Sequence, residues 1–250
     1  MRKGITAVCF IFLFSMASAQ EWELGLQAGA SGYMGDINPE NPLAFNDWAA
    51  GAFVKYNLNP TWGVRGNFTY ANTSAYDGNS RVKQRRERNL GFFGPVIEAS
   101  AVVDFNFFKW LPQRGKVVYT PYIFAGIGGI WFEPKWYDLT LTERQEINLR
   151  DHQTEGVAYE NRAITIPFGA GFKYNLRGPW TVGVELGYRL ALTDYLDDVS
   201  ENYVNVDYIS NPSGAPVGTQ RGDGRPYDSF MTVGITLSYT IFKGGCPEWQ

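Results

Sequence analysis

Long apolar stretches, cysteine and histidine are all scarce in this chain of 250 residues. The one extended apolar run, from about Ile5 to Met16, is shorter than the roughly 20 residues that a membrane-spanning helix requires. The chain has two cysteines and one histidine. These shortages exclude a bundle of transmembrane helices and leave few residues for histidine-dependent catalysis.

The first residues have the pattern of a cleavable secretory signal. A basic start at Arg2 and Lys3 precedes the apolar run, which ends in Ala17-Ser-Ala19. We therefore expect residues 1–19 to be removed and Gln20 to become the new N-terminus. Removing two positive charges changes the net charge from −3 to about −5, a mild acidity that does not suggest a nucleic-acid partner.

The mature chain is predicted to form a single domain over residues 20–250, with a short C-terminal tail from 243 to 250. Cleavage removes Cys9 and leaves Cys246 alone, so an internal disulfide is excluded. An odd cysteine in a compartment where disulfides persist could instead pair with another chain. The alternative is a free thiol.

Eight segments of the mature chain alternate between apolar and polar residues. In the clearest one, from Trp180 to Asp194, bulky apolar side chains occupy one face, and Gly, Thr and a few charged residues occupy the other. A segment beginning near Met231 repeats the pattern. The other six run over 22–31, 48–58, 61–71, 92–108, 117–131 and 162–176. This pattern predicts an all-β fold, an eight-stranded antiparallel transmembrane β-barrel.

A membrane barrel and a soluble, lipocalin-like barrel differ in which face of the strands points outward. The small polar face could not fill a water-excluded core at native density. The apolar face is bulky, and aromatic residues mark its ends, as in the girdles of membrane barrels. These aromatics are Trp22, Trp48, Trp62, Tyr70, Phe107, Tyr119, Trp131, Tyr174, Trp180 and Tyr239. We therefore predict that the apolar face contacts lipid.

Short and long connections alternate between the strands. The predicted tight turns are Asn57–Pro60, Lys109–Lys116 and Leu176–Pro179, and the long loops run roughly over 32–47, 72–91, 133–161 and 195–226. In outer-membrane barrels the short turns are periplasmic and the long loops extracellular. The sequence thus predicts a location in the outer membrane, with both termini in the periplasm.

Charged residues also occur on the inward face, four acids and four bases. They are Glu23, Lys55, Arg65, Glu98, Asp104, Lys173, Glu185 and Arg189. An eight-stranded barrel is narrow enough for side chains to fill its lumen. We expect an ion-pair network that plugs the lumen, with Glu23–Lys55 and Arg65–Asp104 as the best pairs, because isolated buried charges are costly. An ion or proton path is the alternative, which the balance of charge does not favour.

Several motifs are distributed through nearly the whole mature chain. The most specific is Thr193-Asp-Tyr-Leu-Asp-Asp-Val-Ser200, and the others are Tyr33-Met-Gly-Asp-Ile37, Arg88-Asn-Leu90, Ile97-Glu-Ala-Ser-Ala101, Asp104-Phe-Asn-Phe-Phe108, Pro121–Gly129 and Ile166–Leu176. Together these motifs resemble an outer-membrane barrel family that includes PorG, a component of the type IX secretion system. Within the loop motifs, Gly35, Asp36, Asp194, Tyr195, Asp197 and Asp198 are the candidate family residues.

This resemblance implies a non-catalytic scaffold that ties a periplasmic ring, made of a PorK-like lipoprotein and its PorN-like partner, to the outer membrane. Outer-membrane lipids and lipopolysaccharide are further expected partners, and no cofactor, metal or small-molecule substrate is expected. The family also contains paralogues, so a stand-alone barrel whose extracellular loops bind a ligand or the cell surface is the alternative.

Partner contacts on the periplasmic face should come from its turns and from the tail. The candidates are Lys109, Trp110, Arg114, Lys116, Arg177, Cys246 and Trp249. Trp249, two residues after Pro247, would be unusual if left in water, which favours a docking role for the tail.

The loops offer three weaker hypotheses. His152, the one histidine, lies in a polar loop without a recognisable nucleophile, which argues against a lipid hydrolase. Clustered carboxylates of the fourth loop could hold calcium, but they lack an EF-hand pattern and more simply cap turns or pair with basic residues. The basic stretch Arg81–Arg88 could meet lipopolysaccharide phosphates, pair with the fourth loop or remain solvated.

Overall fold

The computed structural model describes residues 21–38, 41, 43–112, 118–138, 145–176, 178–204 and 207–242. Ten β-strands are present in these ranges. They are β1 (Glu21–Met34), β2 (Asp47–Asn57), β3 (Trp62–Tyr76), β4 (Gly91–Asn106), β5 (Tyr119–Phe132), β6 (Lys135–Asp138), β7 (Gln145–Asn148), β8 (Arg162–Asn175), β9 (Trp180–Ala191) and β10 (Ser229–Ile241). Two short helices, α1 (Lys83–Arg88) and α2 (Leu149–His152), and a 3-10 turn (Asp77–Asn79) lie in the loops.

Eight of the strands form a closed antiparallel barrel. The order around the sheet is β3-β2-β1-β10-β9-β8-β5-β4, and pairing of β3 with β4 closes the circle. The first and last strands are neighbours, with Trp22 opposite Ile241 and Met34 opposite Ser229. Closure matters because it leaves no open sheet edge. The predicted fold class is confirmed.

The two ends of the barrel differ in their connections. At the turn end, β2–β3, β4–β5 and β8–β9 are joined. At the loop end, β1–β2, β3–β4, β5–β8 and β9–β10 are joined by the longer segments. Two details differ from the sequence prediction. The long loop between β5 and β8 contains the hairpin β6–β7, which was not predicted. The β4–β5 connection spans 107–118 rather than only Lys109–Lys116.

The outer surface of the barrel is apolar. Leu26, Phe68, Ile127 and Ile235 are each more than half exposed on it. Aromatic side chains occur toward its ends and pack in cross-strand pairs, such as Trp48 with Tyr70 and Trp180 with Tyr239. A closed barrel with such a surface can span a lipid bilayer, because each of its strands forms backbone hydrogen bonds with a neighbour on both sides. No helix within the described ranges is long and apolar enough to cross a membrane.

Candidate functional site

The lumen contains a buried network of charged side chains. All eight charged residues that alternation directs inward are at most 8% exposed. Lys55 Nζ lies 2.7 Å from Asp104 Oδ2, and Arg65 Nη1 lies 2.6 Å from Glu185 Oε2. Arg65 Nε also lies 3.5 Å from Asp104 Oδ1, so Arg65 links two acids. Short pairs of this kind compensate the desolvation of each charge.

A second group of the network lies nearer the loop end. Arg189 Nε is 3.4 Å from Glu98 Oε2, and Arg189 also donates a hydrogen bond to the hydroxyl of Thr232. Ser100 donates a hydrogen bond of 2.8 Å to Glu98 Oε1. Together the two groups place charged and polar side chains at several heights along the lumen.

The lowest part of the network departs from the predicted pairing. Glu23 and Lys55 are opposite each other in the β1–β2 register, as expected, but the Lys55 ammonium pairs with Asp104 instead. Glu23 Oε1 accepts hydrogen bonds from Asn57 Nδ2 at 2.9 Å and from Trp110 Nε1 at 2.8 Å. Lys55 is long enough to reach across the narrow lumen, so strand adjacency alone does not select its partner.

Trp110 corrects a prediction. It was expected on the partner-binding face, yet it is only 2% exposed. Its backbone N–H donates to the Pro60 carbonyl at 2.9 Å, and its ring lies 4.3 Å from Lys173 Nζ. The indole has a hydrogen-bond partner and a cation on its face, which explains why Trp110 points inward and covers the turn end of the lumen.

The other predicted contact residues of the turn end have different outcomes. Lys109 is exposed there. The remaining candidates lie outside the described residues: Arg114, Lys116, Arg177, Cys246 and Trp249.

At the loop end, two of the motifs that carry the family resemblance meet. Tyr33 lies at the end of β1, and its hydroxyl is 2.6 Å from Asp197 Oδ2 and 2.7 Å from Asp228 Oδ1. The Ile37 N–H donates to Asp197 Oδ2, and the Leu196 N–H donates to Asp228 Oδ2. We call this set, together with Asp36, Arg88, Asp198 and Arg221, the cap.

Gly35, in the motif Tyr33–Ile37, lies where the Tyr33 hydroxyl and the Asp228 carboxyl meet, and this position leaves no room for a side chain. A Cβ at Gly35 would lie 1.9 Å from Asp228 Oδ1 and 2.0 Å from the Tyr33 hydroxyl. The neighbouring Asp36 is 2% exposed and accepts a hydrogen bond from the Asp223 N–H at 2.7 Å. Gly35 and Asp36 are therefore parts of the cap rather than a separate turn.

A third motif contributes Arg88. Its guanidinium forms a two-point contact with Asp77, at 2.6 and 2.8 Å. It also donates to the carbonyls of Asp36 and Arg221, at 2.9 and 2.5 Å. One side chain thus ties together the β1–β2, β3–β4 and β9–β10 loops, which a planar guanidinium with five donors is suited to do.

The second half of the cap joins the β5–β8 loop to the β9–β10 loop. Arg221 lies 2.8 Å from Glu155 and donates to the Asp198 carbonyl at 2.6 Å. The Asp198 carboxylate accepts hydrogen bonds from Thr154 and, at 2.7 Å, from Tyr159. Arg221 was not identified from the sequence, because no local pattern distinguishes it from other loop arginines.

The last two predicted loop residues lie at the edge of the cap. Tyr195 stacks on Tyr159 with 4.5 Å between ring centroids. Asp194 accepts a hydrogen bond of 2.6 Å from the Ser200 hydroxyl. Both side chains are therefore engaged in contacts within the loops.

Burial of so many acids changes their protonation. Desolvation raises the pKa of Asp36 and of Asp228 to about 8. Desolvation, reinforced by the charge of Asp228, raises the pKa of Asp197 well above its usual value. For Asp194 and Asp198, burial raises the pKa to about 6. The centre of the cap therefore holds protons at neutral pH.

Within the described ranges, no group of three or more His, Cys, Asp or Glu side chains is arranged to hold a metal ion. His152 Nε2 lies 3.2 Å from Asp207 Oδ1 on an exposed part of the loops.

A closed sheet, an apolar outer surface and a charged lumen together define an outer-membrane-type β-barrel. Within that class, the chain belongs to the family described as a domain of unknown function, DUF6089, whose model matches residues 2–247. No curated protein matches the chain in sequence.

Several solved outer-membrane barrels are similar in structure. The attachment invasion locus protein Ail of Yersinia pestis is 10% identical, with a TM-score of 0.44 over 90% of this chain and 100% of Ail. OprG from Pseudomonas aeruginosa is 10% identical, with a TM-score of 0.45 over 90% and 97%. A major outer membrane protein from Thermus thermophilus is 16% identical, with a TM-score of 0.42 over 88% and 99%.

Proposed function

We propose that this protein is a non-catalytic scaffold of the type IX secretion machinery in the outer membrane. In this proposal the turn end faces the periplasm and binds a ring formed by a PorK-like lipoprotein and its PorN-like partner. The loop end faces the exterior. The protein anchors the ring and does not itself conduct the cargo.

The observation that carries the proposal is the filled lumen. Lys55, Arg65, Asp104 and Glu185 form a connected network, and Trp110 covers the turn end beneath it. Opening a path would separate buried ion pairs, which costs several kcal/mol for each uncompensated charge. A barrel closed in this way suits a role that depends on its surfaces.

The absence of a recognisable catalytic arrangement in the described part of the chain also favours a scaffold. His152 and Asp207 are partly exposed on long loops, and the buried carboxylates of the cap are engaged by Tyr33, Thr154 and Tyr159. The resemblance of the loop motifs to the PorG-containing family is the reason for assigning this scaffold to the type IX secretion machinery.

The test is affinity purification from detergent-solubilised outer membranes. We expect the ring proteins to co-purify with the full-length protein and to be lost when residues 244–250 are deleted, while the barrel stays folded and heat-modifiable. Lys109→Glu should weaken the association, because Lys109 is an exposed cation at the turn end. Arg162→Glu, an equal charge change at the loop end, is the matched control. Recovery of the barrel without any ring protein would refute the proposal.

A second candidate function is a stand-alone barrel whose loops bind an external ligand. An open cleft of about 780 Å³ between α1 and the β9–β10 loop favours it. The cleft is lined by polar side chains that include Gln84, Tyr203 and Gln220. Trimming these loops should then abolish function, whereas changes at the turn end should not.

A further inference from the structure

We infer that the basic segment, Arg81–Arg88, is a docking surface for the phosphate groups of lipopolysaccharide core sugars. This inference rests on the orientation in the proposed function, in which the loop end faces the exterior. It does not depend on the periplasmic ring.

The charge of the basic segment is unbalanced. It contains five basic residues and one acid, Glu87. Arg88 is committed to Asp77, and Arg86 donates to the carbonyls of Ser80 and Arg81. These two side chains hold the segment in place.

Arg81 and Lys83 are left on the surface. The Lys83 side chain is 81% exposed, and its one ion pair among the described residues is with Glu87, at 3.4 Å and also open to solvent. Arg81 is exposed as well. Within the described part of the chain, the segment therefore presents the exposed cations Arg81 and Lys83 against one exposed acid, Glu87.

The acidic β9–β10 loop does not neutralise them either. Its buried carboxylates are directed to other groups: Asp197 to Tyr33, and Asp198 to Thr154, Tyr159 and Arg221. Arg88 contacts this loop through a backbone carbonyl, not through a carboxylate. The loops do pack into a cap, as the sequence allowed, but the surplus positive charge of the basic segment remains outside it.

The distance of the basic segment above the lipid-facing surface indicates which part of the membrane it contacts. On the outer face of β3, apolar Phe68 is followed by Tyr70 and then by polar Asn72 and Ser74, which marks the upper limit of the lipid-facing surface near Tyr70. Tyr76 lies six residues further along the strand, or about 15 Å higher for a strand tilted by about 40°. At that height a barrel is surrounded by the sugars and phosphates of lipopolysaccharide rather than by acyl chains.

The C-terminal end of the segment is attached to the barrel wall. Tyr76 donates a hydrogen bond of 2.7 Å to the side chain of Asn89, the C-cap residue that follows α1. The Tyr76 ring stacks on Trp136 with 5.7 Å between centroids. At the other end of the segment, the hydrogen bonds from Arg86 to the Ser80 and Arg81 carbonyls hold the backbone. The exposed guanidinium of Arg81 and ammonium of Lys83 are suitable donors for phosphate oxygens.

The test compares two double variants of equal charge in the full-length protein reconstituted in nanodiscs. Arg81→Gln with Lys83→Gln removes the exposed cations and leaves the bracing residues Arg86 and Arg88 intact. Arg162→Gln with Arg225→Gln removes two exposed cations elsewhere at the loop end. Binding of purified lipopolysaccharide is measured as a Kd while the salt concentration is varied.

We expect the first variant to bind lipopolysaccharide on the order of 10-fold more weakly, with a shallower salt dependence. The control should change by less than about 2-fold. Chemically dephosphorylated lipopolysaccharide should bind the wild type as weakly as intact lipopolysaccharide binds the first variant.

Three results would each overturn the inference. They are equal weakening in both variants, undiminished binding of the dephosphorylated molecule, and inorganic phosphate binding as tightly as lipopolysaccharide. The measurement uses no ring protein, so loss of the ring in affinity purification would leave its outcome unchanged.

Discussion

Asp197 and Asp228 share one hydroxyl group, that of Tyr33, at 2.6 and 2.7 Å. A hydroxyl has a single proton, so it can donate to only one of the two carboxyl groups. The other carboxyl must be protonated and donate to the tyrosine oxygen. The raised pKa values of Asp197 and Asp228 agree with this arrangement, which makes the centre of the cap a proton-dependent junction.

Replacing Tyr33 with Phe should loosen the cap. Two buried carboxyl groups would lose their shared partner, which costs about 1–3 kcal/mol for an unsatisfied buried group. Hydrogen exchange of the Leu196 and Ile37 amides, which donate to these carboxyls, measures the free energy of local opening. Tyr70→Phe, whose hydroxyl makes a 3.3 Å contact with Asn72 away from the cap, is the control. Unchanged exchange in Tyr33→Phe would contradict a stabilising role.

The stability of the cap should fall as pH rises. The pKa values of Asp36 and Asp228 are raised by burial to about 8, so the folded cap binds more protons than the open one. Its stabilisation is complete below about pH 4, where the open form is also protonated, and is lost as pH rises through about 8. Amide exchange of Leu196 at pH 5, 7 and 9 measures this dependence.

Asp228→Asn provides the matched variant for that pH dependence. The amide resembles the protonated carboxyl in shape but does not ionise, so the loss of protection between about pH 4 and pH 8 should become smaller. A pH profile identical to that of the wild type would show that Asp228 does not carry the proton.

Gly35→Ala should also disturb the cap, because the new methyl group would overlap Asp228 Oδ1 and the Tyr33 hydroxyl. Asp228 cannot shift freely, since it also accepts the Leu196 N–H. Overpacking of this kind typically costs about 1–3 kcal/mol. Gly66→Ala on β3, where a Cβ meets nothing within 4 Å, should be nearly neutral. Equal stability of both variants, by amide exchange, would contradict the crowding.

Removing one base from the lumen should destabilise the barrel itself. Arg65→Met leaves Glu185 without its 2.6 Å partner and takes one of two bases from Asp104, a loss of about 3–5 kcal/mol for a broken buried pair. Urea unfolding in lipid vesicles measures the change. The exposed Arg162→Met should leave the unfolding midpoint unaltered. A stable Arg65→Met barrel would mean that water or rearranged side chains replace the pair.

The sequence was sufficient to predict the strands and which charges face inward, because side chains alternate with a period of two along a strand. Glu185 and Arg189 on β9 illustrate this. It was not sufficient to choose partners across the lumen, since Lys55 passes over its register neighbour Glu23 to reach Asp104. Nor could it predict the burial of Trp110, which depends on contacts with Glu23, Pro60 and Lys173 that are distant in sequence.

The cap shows the same limit more strongly. Asp36, Asp197 and Asp198 were identified because they lie in distinctive motifs, but the motifs gave no distances between loops. Tyr33 and Asp228 are 195 positions apart, and Arg88 and Arg221 are 133 apart. Such contacts follow from closure of the barrel, which brings the loop ends together, and not from any local propensity.

The pairing of β1 with β10 has a consequence for biogenesis. The first strand has no permanent partner on one side until the last strand has been made and exported, so the ring of hydrogen bonds cannot be completed during synthesis. Chains that stop before Ser229 would enter the bilayer with two unsatisfied edges, which lipid does not tolerate. Cells should degrade such fragments instead of inserting them, so assembly of this protein is an all-or-nothing event.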